Sequence, residues 1–189
     1  LVSPIIVRSS SLLEDGFGNA FAGKYESVFC VNRGSLDERL EAFEDAVKTV
    51  YASTMNISAL EYRSLNDLDD CDEQMGLLVQ RVSGSYYEDY FFPTIAGVGF
   101  SYSPYSPQPD MGHNGGMLRL VMGLGTKAVD RTQNDYPRII NLDRPHAIDH
   151  PDVAERHKYS QHSLDVLDLR EISLHEIPVE KGLEVLPRY

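Results

Sequence analysis

Ser35-Leu36-Asp37-Glu38 constrains the fold of this chain more than any other segment, because it fixes where a helix begins. A serine hydroxyl and a carboxylate three residues later satisfy orphan N–H groups at a helix start. Leu36, Leu40, Phe43, Val47, Val50 and Tyr51 then recur at steps of three and four, which lays one apolar stripe along a helix of about five turns. Such a helix needs a surface to bury its stripe against. The chain supplies strands on both sides of it.

Upstream, the apolar run Ile5-Ile6-Val7 delivers Arg8 to the hydroxyl cluster Ser9-Ser10-Ser11 and then, past Glu14-Asp15, to Phe21-Ala22-Gly23. This is the pattern of a phosphate-handling strand and loop. A strand so close to residue 1, with no initiator Met, predicts that something upstream has been removed. Downstream, a second helix is predicted over Ile57–Leu65 with Leu60 as its inward anchor, ended by the acid-rich loop Asp67–Glu73. The period then changes. Met75–Val82 reads as a buried strand, and Tyr86–Phe92 with Ile95–Tyr102 as a strand pair broken by Pro93 and Gly97. Ser103-Pro104-Tyr105-Ser106-Pro107-Gln108-Pro109 is loop, and Leu118–Met122 is a strand running into Gly123-Leu124-Gly125. Towards the end, Asp152 opens a charged helix, and Val166–Val185 alternates enough for one or two edge strands. Helices bunched ahead of several strands predict an α+β fold with a mixed or mostly antiparallel sheet packed by helices.

Composition narrows the partners. The chain has 189 residues, enough for one domain with a proper core, and 17 Lys plus Arg against 29 Asp plus Glu, a formal charge of -12. That field repels polyanions and anionic lipid surfaces, so neither nucleic acid nor membrane is an expected partner. A nucleotide is still permitted, because one arginine with aimed backbone N–H groups binds phosphate locally. No apolar run approaches the roughly 20 residues of a membrane helix, and Leu1–Val7 does not read as a signal peptide. Cys30 and Cys71 form no C-x-x-C pair and read as reduced thiols of a cytoplasmic protein.

Several constellations could carry chemistry. Arg8 is either an ion-paired structural arginine or a planar fork holding two phosphate oxygens, with Ser9, Ser10 and the Gly23 turn adding short-range donors. Gly123-Leu124-Gly125-Thr126-Lys127 does not satisfy the Walker spacing or G-x-G-x-x-G, so a tight strand-to-helix turn is as good a reading as an anion cradle. His146, His150, His157 and His162 crowd together, but their spacing, with Pro151 among them, does not put them on one helix face, and no metal ligands are assigned. No Ser/His/Asp triad is legible.

Val7-Arg8-Ser9-Ser10, Glu14-Asp15, Phe21-Ala22-Gly23, Tyr51-Ala52-Ser53, Leu78-Val79-Gln80, Ala96-Gly97-Val98-Gly99-Phe100-Ser101 and Gly123-Leu124-Gly125 occur in one order. In that order they resemble the ATP-binding domain of phosphoenolpyruvate synthase and pyruvate phosphate dikinase over roughly Ile5 to Arg131, with a Phe-Ala-Gly loop like that of the synthase branch. The resemblance implies a partial ATP-grasp fold, residues 1–145 being a portion of that domain and residues 146–189 a C-terminal extension of it. It implies ATP as cofactor, with Arg8 as the catalytic phosphate clamp, and Gly23, Ser27 and Gln80 completing the ATP contacts.

The same resemblance implies transfer of the β-phosphoryl group to a histidine on a swivelling domain, and from there to pyruvate on a third domain. Mg2+ is expected for the full-length protein, with ligands outside this chain. The isolated chain is expected to be inactive. A lapsed regulatory or interaction module of the same fold, a glucan dikinase and a rifampicin phosphotransferase are the alternatives. Departures from the family pattern are Thr126, where many members carry Glu, and Ser103-Pro104, where the family has Asp-Pro. The family's Glu-x-Ala, Leu-Gln-x-Arg and phosphohistidine segments are not legible after Thr132.

Overall fold

A computed structural model describes residues 3–14, 23–103, 115–129, 134–147 and 152–187. The chain is α+β, and the registered strand pairs are all antiparallel. It divides into two compact units, Leu1–Val82 with Leu169–Ser173, and Ser83–Asp168 with Leu174–Tyr189.

The first unit opens with strand β1 (Ile5–Ser11) and its neighbour β2 (Ser27–Cys30), followed by helix α1 (Leu36–Ala52). The capping box forms as the sequence requires: the Glu38 N–H donates to the Ser35 hydroxyl, and the Glu38 carboxylate accepts the Ser35 N–H at 2.7 Å. A single 3-10 turn, Ser53–Met55, leads into α2 (Ile57–Leu65), and β3 (Met75–Arg81) closes a sheet of order β2-β1-β3. Register is unbroken, with Arg8 opposite Ser27 on one side and Leu78 on the other.

Side chains alternate across a strand, so Ile5, Val7, Ser9 and Ser11 share one face and Ile6, Arg8 and Ser10 the other. The Val7 face is the core, where Val7, Cys30, Ala46 and Val50 pack with Phe43, Val47, Met75 and Leu77. The sequence stripe is therefore right in direction and too long. Leu36 and Leu40 are exposed, and the buried contact falls further along α1 on Ala46 and Val50. In α2 the inward residue is Ala59, packed on Tyr25, whereas Leu60 is 38% exposed; a small side chain sits where the helix comes closest. β3 is a strand, as predicted, but an edge strand whose Leu78 and Val79 are exposed.

In the second unit β4 (Ser85–Tyr87) and β5 (Tyr90–Phe92) form a tight hairpin, so Tyr86–Phe92 is two strands. β6 (Ala96–Phe100) pairs with β7 (Met117–Val121) rather than with β5, which corrects the expected partner. After β7 come α3 (Thr126–Val129), β8 (Arg138–Asn141), α4 (Val153–Lys158), β9 (Ser163–Asp168), β10 (Ser173–Pro178) and α5 (Val179–Glu184). Two further sheets result, of order β6-β7-β8 and β10-β9-β5-β4, in place of the one sheet expected. Asp152 caps α4 as predicted, its carboxylate accepting the Glu155 N–H. β9 is an interior strand rather than an edge: Leu164 and Val166 join Tyr90, Phe92 and Ile177 in the core.

Gly123 adopts φ +88° where β7 gives way to α3, and a Cβ there would stand 2.7 Å from the Asp165 carbonyl oxygen and 2.9 Å from Leu164 Cβ. Gly123→Ala combines left-handed backbone with overpacking and is expected to cost about 2–4 kcal/mol. Chemical denaturation checks this, with a smaller loss at Gly125→Ala, whose Cβ would meet Ala96 Cβ at an ordinary 3.6 Å.

Candidate functional site

Two places collect polar residues. The first is the face of the β2-β1-β3 sheet turned away from α1. Register puts Ser27, Arg8 and Leu78 in one row across it, and Phe29, Ile6 and Gln80 in the next. Three of the four residues predicted to contact ATP, Arg8, Ser27 and Gln80, are thus brought to one face. Gln80 lies diagonally from Arg8, a separation of about 7–8 Å that long side chains span. No carboxylate occurs among the strand residues of this face, and the Arg8 side chain has no ion pair or hydrogen bond with another described residue. Gly23, the fourth, lies in the turn entering β2 with φ +79°, which only glycine adopts without strain. It is not a member of the face.

The hydroxyls divide. Ser9 points to the core side of β1 and donates to Glu14 Oε2 at 2.7 Å, and the buried Ser11 hydroxyl accepts the Glu14 N–H at 3.0 Å. Ser9 is therefore a turn-fixing residue and not a donor beside Arg8, while Ser10 shares the Arg8 face. Asp15, Phe21 and Ala22 lie outside the described residues. The base of the Gly23 turn is anchored by Tyr25, whose hydroxyl donates to Glu73 Oε2 at 2.7 Å. Burial and the adjoining Glu73 carboxylate together push that phenol well above its ordinary range.

The second place surrounds the Gly123-Leu124-Gly125 turn, which sequence alone left open as turn or anion cradle. The Leu124 N–H donates to the Asp165 carbonyl at 2.9 Å, the Thr126 hydroxyl donates to the Asp165 carboxylate, and the Gln161 side chain brackets Met122, accepting its N–H and donating to its C=O, both at 2.8 Å. Lys127 is 5% exposed and its ammonium donates to Asp135 at 2.8 Å, Ser163 at 2.6 Å and Glu176 at 2.8 Å. All three N–H donors are engaged, so this lysine serves the fold rather than a phosphate. Burial pulls its pKa down, but hydrogen bonds to Asp135 and Glu176 outweigh it and hold the ammonium above its ordinary value. Burial likewise pushes Asp135 up, and Lys127, Ser163 and the His162 N–H outweigh that to hold its carboxyl low. The network had one legible signal, a lysine after a glycine turn. Its acids are scattered through the later sequence.

The remaining candidates separate. His157 and His162 stack edge to face with ring centroids 5.0 Å apart, His146 is exposed, and His150 lies outside the described residues. Among the described residues no three His, Cys, Asp or Glu side chains gather to hold a metal ion. Cys30 sits in the core, its thiol pushed up by burial, and Cys71 is exposed in the acidic loop. Among the described residues no helix is long and apolar enough to cross a membrane.

Against family models, residues 2–181 match the pyruvate phosphate dikinase AMP/ATP-binding domain. The chain belongs to this family. No curated protein matches it. The match runs past Arg131, where the motif resemblance ends, and so takes in β8, α4, β9 and β10. The family is one of phosphotransferases, and its domain binds AMP or ATP.

Proposed function

We propose that this chain is the ATP-binding part of a phosphoenolpyruvate synthase-like phosphotransferase, with Arg8 clamping the ATP phosphates. The observation that carries the reading is an exposed arginine with no carboxylate partner among the described residues, set between a hydroxyl and an amide on an exposed sheet face, in a family whose domain binds adenine nucleotides. An exposed arginine held by a strand is a preformed anion contact, and its planar fork fits two phosphate oxygens. Ser27 adds a hydroxyl, and Gln80 adds an amide that can donate and accept. Ile6, Phe29 and Leu78 provide apolar surface in the same two rows. Gly23 stays in the proposal as a backbone contact from the turn entering β2, outside that face.

Catalysis on this reading is positioning and charge stabilisation: the clamp aligns the β-phosphoryl group for in-line transfer to a histidine on a swivelling domain of the parent protein. AMP is the leaving group, water takes off the γ-phosphate as free phosphate, and the phosphoryl group then passes from the histidine to pyruvate on a third domain, giving phosphoenolpyruvate. Mg2+ supplies charge neutralisation when ATP is bound; its ligands are placed outside this chain, and every contact assigned above belongs to the nucleotide. The alternative, a lapsed module of the same fold, draws support from Thr126 and Lys127, whose polar atoms are committed to Asp165, Asp135 and Glu176.

Calorimetric titration of ATP into the full-length protein separates the two. The enzyme reading expects saturable binding, weakened about 2- to 10-fold by Gln80→Ala through loss of one hydrogen bond. ATP binding that Gln80→Ala leaves unchanged would remove Gln80 from the site, and no binding at all would favour the lapsed module.

A further inference from the structure

β3 is an edge strand of seven residues, and the direction of its peptide groups can be assigned. The Gln74 carbonyl accepts the Leu12 N–H at 3.0 Å and the Val82 N–H donates to the Pro4 carbonyl at 2.9 Å, so residues 74 and 82 both face β1. Peptide direction alternates along a strand. Gly76, Leu78 and Gln80 therefore also face β1, whereas Met75, Leu77, Val79 and Arg81 turn their N–H and C=O groups to the outer edge. Among the described residues no strand pairs with that edge.

Natural edge strands are kept short, bulged, or guarded by Lys or Pro against pairing with another chain. At the other side of this sheet β2 has four residues, which meets the rule. β3 has an unbroken register, no Lys and no Pro, and leaves Leu78 43% and Val79 46% exposed.

We propose that β3 is a self-pairing edge, through which two copies of this chain join antiparallel about Leu78 into one continuous sheet. In that register Leu77 of each copy faces Val79 of the other, and Met75 faces Arg81. These are all outward-facing residues, so each pair exchanges both backbone hydrogen bonds. Leu78 meets Leu78 on the axis as a non-hydrogen-bonded pair, and apolar side chains oppose one another at the centre of the seam. Charge selects the direction. Exposed Asp69, Asp70 and Asp72 precede β3 and exposed Arg81 ends it, so antiparallel pairing sets each arginine near the acids of the other copy. Parallel pairing would bring acids against acids. The proposal is independent of the ATP assignment, because the backbone hydrogen bonds of the seam come from Met75, Leu77, Val79 and Arg81, none of which is assigned to ATP.

Sedimentation analysis of the intact chain tests it. A concentration-dependent dimer of the 21.2 kDa chain is expected, and Val79→Pro should hold it monomeric with little change in thermal midpoint, since the proline removes only an outward N–H. In a Cys71→Ser background, Leu78→Cys should form an intermolecular disulfide on mild oxidation, because non-hydrogen-bonded partners lie about 4.5 Å apart at Cα. Gln80→Cys, off the axis, should not. If Val79→Pro fails to fold, the cysteine pair decides the matter. A monomer at every concentration, a dimer indifferent to Val79→Pro, or equal cross-linking at both cysteine positions overturns the proposal.

Discussion

Lys127→Ala is expected to destabilise the protein by about 3–5 kcal/mol, because it strands buried Asp135 without its counter-ion. The two arms of the network are unequal. Asp135 is 8% exposed at the side chain and also accepts the His162 N–H and the Ser163 hydroxyl, whereas the Glu176 side chain is 61% exposed and its pairing is screened by water. Glu176→Gln should therefore cost less than about 1 kcal/mol, and Asp135→Ala should approach the lysine deletion. Replacing Lys127 and Asp135 together by apolar residues should recover much of the loss, since the cost lies in the unpaired charge more than in the missing attraction. Urea denaturation of the single and double variants measures these differences.

The same network fixes a pH window. The Asp135 carboxyl is held below its ordinary value, so its stabilisation is present above the unfolded-state pKa of about 3.9 and is lost as pH falls through the lower folded value. The Lys127 ammonium is held above its ordinary value, so its stabilisation is complete below the unfolded-state pKa of about 10.4 and is lost as pH rises through the folded value. Between roughly pH 4 and pH 10 the pair contributes fully. In the double apolar variant, the acid limb of the stability curve should flatten below about pH 4. An acid limb as steep as in the parent would assign it to other carboxylates.

Local chemistry was legible where a few adjacent residues decide the structure. The Ser35 capping box, the Asp152 cap and the α2 bounds each depend on contacts within one turn of chain, whereas the Gly123-Leu124-Gly125 turn, left open by the sequence, is fixed by Asp165 and Leu164 about forty residues away. What was not legible depends on partners far apart. The hairpin between Tyr87 and Tyr90 turns on Glu88 and Asp89, with Glu88 at φ +50° and no Asn-Gly or Asp-Gly to announce it. Pairing of β6 with β7, and the interior place of β9, are set by sheet assembly and not by any period within the strand. Leu36 and Leu40 fit the α1 stripe, and Leu60 was the expected anchor of α2, yet all three remain exposed, because an apolar pattern specifies a direction and not how much surface faces it. For the site, alternation in β1 together with register in β2 and β3 explains why Arg8, Ser27 and Gln80 share a face. The same alternation explains why adjacent Ser9 does not.

Arg8→Ala provides the opposite signature to Lys127→Ala, and the contrast is what makes the ATP assignment testable. Arg8 is exposed and has no ion pair or hydrogen bond with another described residue, so its loss should change folding stability by no more than about 0.5 kcal/mol. A charge-assisted contact to phosphate is worth about 1.5–3 kcal/mol, so ATP affinity should fall about 10- to 150-fold. Arg8→Lys keeps the charge but not the planar fork and should fall between the two. In the full-length protein, ATP-dependent autophosphorylation should disappear in Arg8→Ala while the melting curve stays in place. If stability fell along with activity, Arg8 would be a structural arginine after all. Normal autophosphorylation in a stable Arg8→Ala protein would place the phosphate clamp elsewhere. A stable fold without phosphoryl transfer is the one combination that a phosphate-clamping arginine on an open sheet face predicts.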